Sequence, residues 1–102
     1  MFANTPAPPY YAVIFTSILS DDNQGYAETA DLMVTLARQQ PGFLGMESAR
    51  EEVGITVSYW RTLDAIKAWK QQSDHLIAQQ KGRETWYQDF AVRISKVEHE
   101  YR

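Results

Sequence analysis

The chain has 102 residues, 44% of them apolar, a net charge of −3 and no cysteine, which suits one domain with a single core and excludes disulfides, iron–sulfur clusters and a thiol nucleophile. Lys and Arg are scattered among Asp and Glu, so no basic stripe is available for phosphates and nucleic acid is not an expected partner. No apolar run is long enough to span a bilayer, and Met1 to Tyr10 lacks the basic-then-apolar layout of a signal peptide, so a cytoplasmic protein with no membrane partner is expected.

Asn4-Thr5-Pro6-Ala7-Pro8-Pro9 is too rich in proline for helix or ladder, so residues 1–9 are expected as an extended arm adding little stability, with the domain over 10–102. Tyr10 to Leu19 carries aromatic, β-branched and apolar residues on both parities, which predicts a strand covered on both faces. Ser20-Asp21-Asp22-Asn23 supplies turn and capping groups, and Tyr26, Ala30, Met33, Val34 and Ala37 follow at helical spacing until Pro41-Gly42. Phe43 to Glu52 and Ile55 to Trp60 predict a hairpin, with Gly54 as its turn. Thr62 caps a second helix with Leu63, Ile66 and Trp69 on one face, and Ser73-Asp74 predicts a break in its middle. A final strand alternates as Phe90, Val92, Ile94 and then as Val97, His99, Tyr101, a parity switch that an extra residue near Ser95-Lys96 would explain as a bulge.

The order βαββαβ is the ferredoxin-like α+β arrangement, a four-stranded antiparallel sheet with both helices on one face. Strands one and four offer large apolar residues on both parities, so the bare face should be covered by a second copy, giving a homodimeric α+β barrel.

The runs Pro41-Gly42-Phe43-Leu44-Gly45 and Ile55 to Trp60, with Ala68-Trp69 on the following helix, resemble the antibiotic biosynthesis monooxygenase (ABM) domain family. The stretch His75, Gln79, Gly82-Arg83, Trp86-Tyr87, Val92-Arg93-Ile94, Val97-Glu98 and Tyr101 looks like a subgroup of small stand-alone bacterial members. The resemblance implies a dimeric ferredoxin-like barrel and, among its activities, oxygenation of polycyclic phenols without metal or flavin. A haem-degrading branch uses a strand-one Asn, a helix-two Trp and a His ligand to iron. Trp69 matches that tryptophan, but Tyr10 to Ser20 holds no Asn, and Gln79 and Gln80 stand where the ligand would be. Glutamine is a poor iron ligand, so no haem, flavin or metal cofactor is expected.

Two histidines without suitable carboxylate spacing make no metal site. His75, just inside a helix start, is the candidate base because an imidazole suits proton shuttling, although a surface histidine has the same sequence signature. His99 lies in the charged segment Glu98-His99-Glu100 and suits a solvated edge. Arg50, Arg83 and Arg93 are candidate donors to a phenolate, or partners of nearby glutamates; Arg93 is preferred because it alternates with Val92 and Ile94. Trp69, Tyr59 and Gln80 are the candidate substrate contacts, with Trp60 and Trp86 as core. The expected function is a cofactor-independent monooxygenase acting on a small electron-rich aromatic, and the alternative is a non-catalytic ligand-binding or sensing dimer on the same fold.

Overall fold

A computed structural model of the chain describes residues 2–79 and 86–102, with the side chains of all but 78 and 79. Its elements run β1 (Tyr10–Leu19), α1 (Tyr26–Arg38), β2 (Phe43–Arg50), β3 (Gly54–Trp60), α2 (Leu63–Gln79) and β4 (Tyr87–Val97). The strands pair antiparallel throughout in the order β2-β3-β1-β4. This is the ferredoxin-like arrangement expected from the hydrophobic pattern.

Local chemistry sets the ends of the helices. The polar run before α1 builds the loop rather than the cap: Asn23 donates to the Ser20 carbonyl and Ser20 to that of Asp22, while left-handed Gly25 (φ 86°) occupies the N-cap. Gly42 (φ 85°) turns the chain out of α1, and a Cβ there would lie 2.7 Å from that of Ala65, so glycine also lets β2 approach α2. Thr62 caps α2 as expected, its Oγ1 accepting from the Ala65 amide at 3.1 Å.

The helix is not broken at Ser73-Asp74. Ser73 donates back to the Lys70 carbonyl and Asp74 pairs with Lys70 one turn earlier, so both side chains serve a continuous helix instead of starting a new one. The fourth strand also differs from expectation. Its pairing with β1 is regular from Val97 to Asp89, and the extra residue is Gln88, where the register steps between Ile18 and Leu19. The parity switch has another cause: Val92 and Ile94 face the helices, whereas Val97 lies beside Tyr10 on the opposite face, which is covered there by the N-terminal arm.

That arm is docked, contrary to the expectation of an inert extension. The Ala3 amide donates to Glu47 at 2.8 Å; Thr5 and Tyr10 hydroxyls both donate to Glu100; and Arg102 donates to the Ala3 carbonyl at 3.0 Å. Gly45 makes room for it, since a Cβ at that position would stand 2.9 Å from the Ala3 Cβ. Under this cover Tyr10 and Ala12 are buried. No helix among the described residues is long and apolar enough to cross a membrane.

Candidate functional site

Strand register builds the floor of a cavity between the sheet and the two helices. Three rows of side chains face the helices: Arg50, Gly54, Ser17 and Phe90; then Ser48, Thr56, Phe15 and Val92; then Met46, Ser58, Val13 and Ile94. Tyr26, Thr29 and Met33 of α1 and Ile66, Trp69 and Ser73 of α2 roof them, and Trp86 and Tyr87 close one end, around about 460 Å³. That volume is in the range of small-molecule sites.

The tryptophans divide the labour. Trp60 is fully buried at 0% exposure; its indole N–H donates to Ser58 Oγ at 2.9 Å, and Phe43 meets its ring edge-on. Trp86 is buried too, donating to the Gln24 carbonyl at 2.8 Å. Trp69 lies on Trp60 with centroids 6.0 Å apart and planes 24° apart, is only half-buried, and lines the cavity. The inward face of α2 begins at Ile66, since Leu63 is exposed.

One cation enters the wall from the sheet. Arg50, at the last position of β2, extends across Gly54 of β3 and donates through Nη2 to Ser17 Oγ and through Nη1 to the Ser17 carbonyl. Its guanidinium carbon is 5.7 Å from the centre of the Tyr26 ring, within cation–π range.

Among the residues singled out from the sequence, Trp69 faces the cavity. His75 is exposed on α2 and is not part of the wall. Arg93 pairs with Ile14 and alternates with the wall residues Val92 and Ile94, which places it on the helix-free face. Tyr59 is on that face as well, donating to Glu47 beneath the arm; burial first, and then this carboxylate, push its hydroxyl pKa upward, so it is a poor proton donor to a ligand. Gln80 and Arg83 lie outside the described residues. No group of three or more potential metal-binding side chains comes together among the described residues. Sequence alone does not single out the Arg50–Gly54–Ser17 row: it offers Arg50 as one of three candidate arginines and reads Gly54 as a turn, whereas Gly54 is the first residue of β3.

Residues 9–81 match the family model described as antibiotic biosynthesis monooxygenase. Uncharacterized protein YqjZ of Bacillus subtilis is 54% identical over 100 residues, covering 96% of this chain and 88% of that protein. Among solved structures, SnoaB of Streptomyces nogalater, a cofactor-independent oxygenase, superposes with a TM-score of 0.73 at 10% identity, covering 91% of this chain and 97% of that one. Rv0793 of Mycobacterium tuberculosis gives 0.75 at 16% identity, covering 91% and 99%. These two likenesses show the fold.

Proposed function

Because the chain belongs to the antibiotic biosynthesis monooxygenase family, we propose that it is a cofactor-independent monooxygenase acting on a small electron-rich aromatic. The observation that carries this is Trp69, stacked on Trp60 on one side and open on the other to a cavity of about 460 Å³. Phe15, Tyr26, Tyr87 and Phe90 add further ring surface to the wall, which suits a flat substrate.

Such a substrate carries its own electrons. A phenol with a free para C–H loses its hydroxyl proton, and the ring carbon passes electrons to O2. One oxygen atom ends in the new C=O bond of a quinone and the other leaves as water, taking both hydrogens, so no external reductant is consumed. The protein's part is to hold the ring, stabilise the oxyanion and keep water away from the carbon that reacts.

The position of His75 outside the wall favours a second possibility, a ligand-binding dimer without catalysis, because no histidine is then at hand as a base. Oxygen-electrode traces with electron-rich polycyclic phenols separate the two. Uptake of one O2 per quinone, with one labelled atom from ¹⁸O2 in the product, is expected; tight binding of several such phenols with uptake no faster than without protein would favour the binding dimer instead.

A second copy is also proposed, over the helix-free face. Ile14 and Val57 lie there only partly buried, with Ile18 exposed further along β1, and an apolar sheet face of this kind suits an isologous contact.

A further inference from the structure

We propose that Arg50 is the anion anchor of the cavity: it selects aromatic ligands that carry an ionised oxygen and holds them in that form. This deepens the role proposed for the cavity and rests on it.

The placement of Arg50 depends on a gap in the side-chain rows. Arg50, Gly54 and Ser17 are directly paired across β2, β3 and β1. A Cβ on Gly54 would stand 2.1 Å from Arg50 Cζ, so the guanidinium lies in the space that any other residue would fill. This lets an edge-strand arginine reach the second strand over, where Ser17 is 1% exposed. Ser17 fixes one side of the fork with its hydroxyl and carbonyl oxygens, and the Tyr26 ring lies alongside.

These partners orient the charge but do not neutralise it. Among the described residues no carboxylate lies within ion-pairing reach of Arg50, and none accepts from its remaining N–H groups. The other charged groups of the wall are Asp31 on α1 and the paired Lys70 and Asp74 on α2, with the hydroxyls of Tyr26 and Tyr87. Arg50 as a whole is exposed, so its guanidinium, fixed by neutral oxygens beside a largely apolar wall, is open to an anion supplied from outside, and its planar fork suits a carboxylate or phenolate. A phenol entering ring-first towards Trp69 and oxygen-first towards Arg50 would become more acidic there, because a nearby cation favours its charged form. That offers a reason why the cavity needs no histidine: a phenol acidified in this way passes its proton to water.

The test uses 4-nitrophenol, whose phenolate has its own visible absorbance, and 4-nitroanisole, which cannot ionise. Wild-type protein is expected to bind the phenolate at least about tenfold more tightly than the ether, and to lower the apparent pKa of the bound phenol by at least about one unit. Arg50→Gln should abolish both effects while leaving ether affinity within about twofold, and Arg50→Lys should restore part of them. Gly54→Ala, which displaces the guanidinium without removing it, should also reduce the preference; Arg61→Gln, an exposed change outside the cavity, should not. Failure of the wild type to prefer the phenolate, or an equal loss of both ligands in Arg50→Gln, would overturn the proposal. Selective phenolate binding without oxygen uptake keeps the anchor and removes the oxygenase. Oxygen uptake with an unchanged rate and pH profile in Arg50→Gln does the reverse.

Discussion

Trp69 and Trp60 form a stacked pair of which one member is sealed and the other is open, and truncation should separate them. Trp60→Ala removes a fully packed indole and is expected to cost about 3–5 kcal/mol; Trp69→Ala should cost less than about 3, because one ring face already lacks neighbours. Denaturant unfolding of the two variants measures the difference, and quenching of wild-type fluorescence by small phenols should disappear in Trp69→Ala. A larger loss at Trp69 with no quenching would mean that the residue is plain core. Helical spacing was enough to place Trp69 inward, but not His75, which lies about 200° around the helix from the wall residue Ser73. The strand pattern put Arg93 opposite Val92 and Ile94, yet alternation alone does not say which sheet face bounds a cavity. Arg50 stands apart from the other candidate arginines only through Ser17 and Gly54, and Ser17 pairs with Gly54 from far along the chain; no local pattern reports such a row.

The arm and the C-terminal tail act together at the scale of elements. Deleting residues 2–9 removes the cover over Tyr10 and Ala12 together with the contacts to Glu47 and Glu100, and should lower the melting temperature by about 4–8 °C, corresponding to about 1 kcal/mol in a domain of this size. An unchanged melting temperature would show the docking to be energetically neutral. Acid should release the same contact. Donation from Thr5, then Tyr10 and Arg102, holds the Glu100 carboxyl at about 2 instead of the ordinary 4.5, and Tyr59 followed by the Ala3 amide holds Glu47 below its usual value. Carboxyls with depressed folded-state pKa values stabilise the docked arm above about pH 4.5 and lose that contribution as the pH falls towards about 2. The protection of the Ala3 amide, its exchange rate compared with that of an unstructured chain at the same pH, should therefore fall over that window and stay level between pH 5 and 8. Prolines correctly argued against a ladder strand here, but docking through Ala3, Thr5 and a glycine gap requires no ladder, so composition was silent about it. The same limit explains α2: Ser73-Asp74 suits a cap as well as it suits hydrogen bonds back to the preceding turn, and only the continuous packing of Ile66 and Ile77 decides.

For the whole molecule, the element order and the pairing of two helices with one sheet were readable from periodicity, because each strand and helix carries its own apolar pattern; the cavity arises where the three layers meet and has no such signature. The proposed dimer is tested at this scale. Sedimentation at micromolar concentration should show twice the chain mass, and Val57→Lys, in the middle of the helix-free face, should give a folded monomer; a monomeric wild type would remove the proposal. The clasp between Arg102 and Ala3 also makes the chain nearly a closed ring, since its first and last described segments lie against each other on the same sheet face. A circular permutant that joins these ends through a few glycines and opens between Glu51 and Val53, where the β2–β3 connection is exposed, should fold with its cavity intact, whereas a bulky tag fused directly ahead of Ala3 has to compete with Arg102 for the same ground.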